Sequence, residues 1–244
     1  MTHTVTHTVT KTAAKTYRVK EIFYTLQGEG AQAGRPSVFC RFSKCNLWNG
    51  KEESRAQSVC DFCDTDFVGT DGVNGGIYNA HELVQLIASL WPGNPSPATQ
   101  GANQGTPYIV CTGGEPLLQL DEPLIDVMHE YGFEVAVETN GTLPAPAGID
   151  WVCLSPKADS ELVLLECDEL KLVYPQPLAM PELFDHIQAT HRYLQPMANA
   201  SLDYIATDAH QGLSLSNTQK ATQYCLKHPQ WKLSLQTHKM LGIE

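Results

Sequence analysis

Tyr108-Ile109-Val110-Cys111-Thr112-Gly113-Gly114-Glu115-Pro116 is the stretch from which the rest of the chain can be read. Four apolar residues in a row suit a strand covered on both faces. The two glycines that follow permit a tight exit and let bare backbone come close to a small molecule. Glu115 adds a carboxylate, and Pro116 fixes the way out of the turn. Taken alone, the run is as readily a strand-to-helix turn as a ligand cradle.

The same grammar recurs on either side of it. From Tyr17 onward, strand-like runs fall at Ser37–Phe42, Phe133–Val137, Trp151–Leu154, Leu170–Val173, Tyr193–Leu194 and Lys232–Leu235. A helix is expected from Asn79, where Asn79 and Glu82 form a capping pair and Leu83, Leu86, Ile87 and Leu90 share one face. Further helices are expected over Asp121–Tyr131, Pro181–Thr190 and Asn217–His228. A polar motif follows most strands: Glu138-Thr139-Asn140-Gly141, Ser155-Pro156-Lys157, Gln195-Pro196 and Gln236-Thr237-His238. In parallel β/α folds the C-terminal strand ends form the active face, so these motifs are expected to share one site.

Composition bounds the function. The chain has 244 residues and a mass of 26.9 kDa, enough for one barrel-type α/β domain with a substantial core. Its net charge of -11 argues against a grip on nucleic acid and for a small-molecule substrate. No run approaches a membrane span and no signal peptide opens the sequence, so a cytoplasmic location is expected. Residues 1–16 are Thr-rich with a doubled THTV and read as a disordered tail, leaving 17–244 as the catalytic domain. The segments 92–106 and 198–215 read as surface insertions.

Eight cysteines in a chain of this length do not make a disulfide framework. Cys111, Cys153, Cys167 and Cys225 lie in apolar surroundings and read as packing. Cys45, Cys60 and Cys63 form a C-x14-C-x2-C set, with the close pair suited to wrapping one centre. Three thiolates are one short of a closed four-ligand site, which leaves a place for a reactant. A zinc knuckle completed by Cys40 is the competing reading. Against it, Cys40 alternates with Phe39 and Arg41 inside a strand pattern and is expected to face the core.

Three cysteines followed by Gly-Gly-Glu-Pro at a strand end resemble the radical S-adenosylmethionine superfamily. The likeness implies a partial, incomplete parallel β/α barrel. It implies a 4Fe-4S cluster on Cys45, Cys60 and Cys63, whose open iron takes S-adenosyl-L-methionine and cleaves it to an adenosyl radical. It also puts Gly113, Gly114 and Glu115 at the methionyl amine.

Leu26-Gln27-Gly28-Glu29-Gly30, Cys63-Asp64-Thr65, Glu138-Thr139-Asn140-Gly141, Ser155-Pro156-Lys157 and Leu235-Gln236-Thr237-His238-Lys239 narrow the resemblance to the 7-carboxy-7-deazaguanine synthase family. That family is a set of carbon-nitrogen lyases of queuosine biosynthesis. They abstract hydrogen from C6 of 6-carboxy-tetrahydropterin, contract the ring, release ammonia and regenerate the cofactor. The likeness gives substrate contacts to Gln27, Glu29, Arg41 and His238, and cofactor contacts to Glu138, Asn140, Ser155 and Lys157. It gives a Mg2+ ligand at Thr65, a flavodoxin or ferredoxin as electron donor, and a homodimer. Most of the superfamily spaces its cysteines C-x3-C-x2-C, whereas some members of this narrower family carry the longer loop.

The residue types suit that substrate. A pterin carries a guanine-like 2-amino-4-oxo edge, whose N–H donors match a carboxylate such as Glu29 and whose carbonyl matches an amide such as Gln27. Arg41 suits a carboxylate in forked geometry. Two other classes stay open at this point. An activase that makes a glycyl radical on a partner protein would share the cysteines and Gly-Gly-Glu-Pro, and a zinc-binding interaction module would use Cys40.

Overall fold

The computed structural model describes residues 15–96, 105–198 and 216–243. The expected tail therefore lies outside the described residues but for its last two, as do the middle of the 92–106 insertion and all but the first residue of 198–215.

The described elements, in chain order, are β1 (Tyr17–Leu26), β2 (Pro36–Phe42), β3 (Gly76–Tyr78), α1 (Ala80–Leu90), β4 (Tyr108–Gly113), α2 (Glu122–Glu130) and β5 (Glu134–Thr139). Then follow β6 (Trp151–Leu154), β7 (Glu166–Tyr174), β8 (Gln188–Pro196), α3 (Asn217–Lys227), β9 (Lys232–Leu233) and α4 (Thr237–Leu241). The strands form one sheet in the order β3-β1-β2-β4-β5-β6-β7-β8-β9. From β2 through β9 every neighbouring pair is parallel, while β1 runs antiparallel to both β2 and β3. The two edge strands do not pair with each other, so this is the incomplete parallel β/α barrel that the sequence leads one to expect.

Local chemistry explains the helices. Asn79 accepts the Glu82 amide at 3.0 Å while the Glu82 carboxylate accepts the Asn79 amide at 3.0 Å, closing the first turn of α1. Leu83, Val84, Ile87 and Ala88 then bury one face of that helix. Asp121 caps α2 at Leu124 and also accepts the Tyr17 hydroxyl at 2.7 Å, which pins that helix to β1. Ser216 and Gln219 cap α3 in the same reciprocal way.

One expected helix is not there. Pro181–Phe184 makes only a short 3-10 turn, and β8 starts at Gln188, inside the stretch Pro181–Thr190 expected to be helical. Gln188 and Ala189 pair with Glu166 and Cys167, so the ladder to β7 claims residues that local propensity leaves undecided. The strand β3 and the short helix α4 are elements not expected from the sequence.

Two apolar clusters carry the fold. One lies between β1, β2, β4, β5 and the helices α1 and α2; the other joins β6, β7 and β8 to Ala221 of α3 and to Trp231. Each fully buried Leu or Ile contributes about 1.5–3 kcal/mol through removal from water. In β7 the alternation decides the site: Leu170 and Leu172 pack into the second cluster, so Glu169 and Lys171 face the other way, into the barrel. Among the described residues no helix is long and apolar enough to cross a membrane.

Candidate active site

A cavity of about 550 Å³ opens at the C-terminal ends of the parallel strands. Its wall contains Gln27, Glu29, Arg41, Cys45, Cys60, Cys63, Thr65, Gly113, Gly114, Glu138, Asn140, Ser155, Lys157 and His238, all of which the sequence points to. Glu115 is the exception. Its carboxylate has no exposed surface and accepts from the Leu117 amide at 2.9 Å, the Thr139 hydroxyl at 2.8 Å and the Asn140 amide at 2.8 Å. It ties the end of β4 to the end of β5 from behind the cavity, rather than facing into it.

The glycines beside it are there for close packing. A Cβ on Gly113 would fall 2.2 Å from the Phe42 carbonyl oxygen, and one on Gly114 would fall 2.2 Å from the Lys44 carbonyl oxygen and 2.8 Å from Cys45 Cβ. Their bare backbone lets the segment Phe42–Cys45 lie directly on the β4 exit, where the Glu115 amide donates to the Lys44 carbonyl at 2.9 Å. The strand end thereby sets the position of Cys45.

The residues between Cys45 and Cys60 form their own small structure. The Arg55 guanidinium stacks 4.1 Å from the Trp48 ring centre and donates to the Cys63 carbonyl at 2.8 Å and the Asp61 carbonyl at 3.0 Å. Trp48 meets Phe67 edge-on at 5.6 Å. Asn46 links the loop to β5 by accepting from the Asn140 side-chain amide at 3.0 Å. Cys60 donates to Cys63, which favours the thiolate at Cys63 and pulls its pKa down, whereas burial pushes Cys45 up. Thr65 donates to Cys63 from both its backbone and its hydroxyl.

Three cysteine sulfurs in one cavity wall are a donor set whose chemistry suits an iron–sulfur cluster. Among the described residues no three His, Cys, Asp or Glu side chains are gathered tightly enough for a single metal. Cys40 is buried opposite Cys111 in the β2–β4 ladder and is not in the cavity wall, which removes the fourth ligand of the zinc reading.

The other end of the cavity is built on Gln27–Gly30, which runs from the end of β1 to β7 and β9. The Gly30 amide donates to Ser234 Oγ at 2.9 Å, the Ala31 amide to Glu169 Oε2 at 2.8 Å, and the Gly28 carbonyl accepts the Thr237 amide at 2.9 Å. Glycine is required at both places. A Cβ on Gly28 would meet His238 Nδ1 at 2.1 Å, and one on Gly30, whose φ is +65°, would meet Glu169 Oε1 at 1.8 Å.

Between these glycines Glu29 is anchored by Lys171 Nζ at 2.7 Å on one oxygen, and by Gln195 and Gln236 side-chain amides at 3.0 Å and 2.9 Å on the other. Burial alone would raise the Glu29 pKa, but the Lys171 charge and these hydrogen bonds hold it well below the usual carboxylate range. Burial lowers His238. Arg41 also lines the cavity, its Nε donating to Glu21 at 2.7 Å. Lys157 donates to the carbonyl and hydroxyl oxygens of Ser155, both at 2.7 Å, and burial lowers its pKa.

No protein-family model matches the chain. Curated relatives do, over nearly their whole length. The chain is 54% identical over 229 residues to a protein of Caulobacter vibrioides and 55% identical over 229 residues to one of Bradyrhizobium diazoefficiens, in each case spanning 93% of this chain and 99% of the relative. A third relative, from Burkholderia multivorans, is 54% identical over 231 residues with the same coverage. All three bear the name 7-carboxy-7-deazaguanine synthase.

The chain belongs to the 7-carboxy-7-deazaguanine synthase family.

The fold of this synthase-family chain is also that of a solved structure, "Crystal structure of QueE from Escherichia coli", with a TM-score of 0.60, 24% identity and coverage of 90% of this chain and 93% of the other. Sequence reasoning missed Lys171, which shapes the synthase cavity, and put Gln195 among the strand-end motifs without giving it a contact. For Lys171 a signal existed, since a lysine inside the apolar run Leu170–Val173 has to be paired if that run is a buried strand. Gln195 carries no signal of its own beyond its place at a strand end.

Proposed function

We propose that this chain performs the reaction of its family, converting 6-carboxy-5,6,7,8-tetrahydropterin to 7-carboxy-7-deazaguanine with release of ammonia. The observation that carries the reading is the identity to synthases over 93% of the chain, with the cysteine set and the proposed pterin residues in one cavity wall. Cys45, Cys60 and Cys63 would hold a 4Fe-4S cluster, and Thr65 would offer its hydroxyl to Mg2+. Gly113, Gly114, Glu138, Asn140, Ser155 and Lys157 would receive S-adenosyl-L-methionine. Cluster and cofactor, when bound, would supply the one-electron radical chemistry of the reaction.

The chain's own residues position the pterin. Glu29 accepts from its pyrimidine N–H edge, Gln27 offers an amide beside it, His238 closes over it against Gly28, and Arg41 faces its carboxylate. Outside the cavity, we place the enzyme in the cytoplasm as a homodimer that takes electrons from a flavodoxin or ferredoxin.

The test is anaerobic reconstitution with iron and sulfide, followed by reductant, S-adenosyl-L-methionine, Mg2+ and carboxy-tetrahydropterin. Appearance of the deazapurine by ultraviolet absorbance and mass supports the reading. A cluster that cleaves S-adenosyl-L-methionine but leaves the pterin unchanged would favour an activase instead.

A further inference from the structure

The interior of the barrel holds a cation to which no role has been assigned. Lys171 is 5% exposed, and its ammonium lies 2.7 Å from Glu29 Oε2 and 3.2 Å from Glu138 Oε1. Among the described residues, the other hydrogen-bond partners of the two carboxylates are neutral: Gln195 and Gln236 on Glu29, Gln27 and the Thr112 hydroxyl on Glu138. The other ionisable groups that act on this lysine or respond to it are Cys153, Glu169, Lys157 and His238.

Two carboxylates that share one ammonium repel each other, and the cation between them offsets that repulsion. A carboxylate has about four acceptor positions, of which Glu29 already fills three within the protein. Its remaining position is useful to a ligand only if the group is both charged and held still.

We propose that Lys171 is a positioning residue for substrate recognition, whose buried ammonium bridges Glu29 and Glu138 so that Glu29 meets the pyrimidine N–H edge as a fixed anion. This rests on the pterin reading above. Lys171 itself touches the carboxylates and not the reacting carbon, so its removal acts on binding through Glu29.

The experiment is equilibrium dialysis of 6-carboxypterin, an oxidised analogue of the substrate, against reconstituted protein without S-adenosyl-L-methionine. In Lys171→Gln the Kd is expected to rise by about tenfold or more, because the pair of anions is left uncompensated. Lys171→Arg, which keeps the charge, is expected to recover part of that loss. In the double variant Lys171→Gln with Glu138→Gln, which removes one charge of each sign, the Kd is expected to return to within about threefold of wild type.

A Kd for Lys171→Gln within about twofold of wild type, with or without a lowered melting temperature, overturns the proposal. So does a double variant that binds no better than Lys171→Gln, since a merely structural role predicts that outcome. If Lys171→Gln does not fold, the double variant decides alone, by binding or failing to bind. Wild-type protein that does not bind 6-carboxypterin would overturn the pterin reading and this inference with it, a result distinct from loss of the Lys171 effect alone.

Discussion

Glu115 and Asn140 are joined across the ends of β4 and β5, with the buried carboxylate accepting the Asn140 amide at 2.8 Å. The family motif gives Glu115 a place at the cofactor. In this structure its side chain instead fixes the strand end on which Gly113 and Gly114 stand, and the cofactor would meet that backbone. Glu115→Ala leaves three buried donors without an acceptor, at about 1–3 kcal/mol each. Denaturant unfolding should report a loss of about 3 kcal/mol or more, and Glu115→Gln a smaller one.

Gly114→Ala places a methyl group 2.2 Å from a backbone oxygen that cannot swing aside. The strain should cost about 1–3 kcal/mol and displace Cys45 from the β4 exit. Iron bound per chain after anaerobic reconstitution should fall while far-ultraviolet circular dichroism keeps its wild-type shape.

Cys40→Ala and Cys45→Ala should separate in metal content. Cys40 only fills space in the β2–β4 core, so its truncation is expected to cost about 1 kcal/mol and leave iron binding intact. Cys45→Ala should abolish the cluster absorbance. Equal loss of metal in both variants would return the zinc reading.

The Glu29–Lys171 pair should register in the acid limb of stability. The Glu29 pKa falls from 4.5 to about 2 on folding, so its contribution is present above the unfolded value and is lost as pH drops from about 4.5 toward 2. The stability difference between wild type and Glu29→Gln, measured by urea unfolding from pH 6 downward, should shrink across that window. A difference that stays constant would mean that folding leaves the Glu29 pKa unshifted, and one that grows as pH falls would mean that Glu29 is neutral in the folded protein.

Much of this was legible in the chain because the signals were local. The apolar run before Gly113, the Asn79–Glu82 cap and the cysteine spacing each report on their own neighbourhood. The strand Trp151–Leu154 falls where its residues put it. What escaped depended on distant partners. Pro181 and the acidic residue after it start a helical turn, yet Gln188 onward is claimed by β7. Lys171 makes sense only beside Glu29, at 2.7 Å in space but far away in sequence. Gly28 and Gly30 look like an ordinary turn until His238 and Glu169 arrive against them. Glu115 shows the converse, a motif residue whose type is legible and whose direction is not.

The clasp that Arg55 makes between Trp48 and Cys63 has a bearing on how such proteins should be recognised. With the guanidinium gripping both ends of the excursion, the residues inside it form a closed link, and lengthening or trimming that link need not move the sulfurs. The count of residues between the first two cysteines is therefore a poor ruler for where the sulfurs stand. The bare-backbone seat under Cys45 and the grip on the Cys63 carbonyl are the better landmarks, because they fix where these two sulfurs stand.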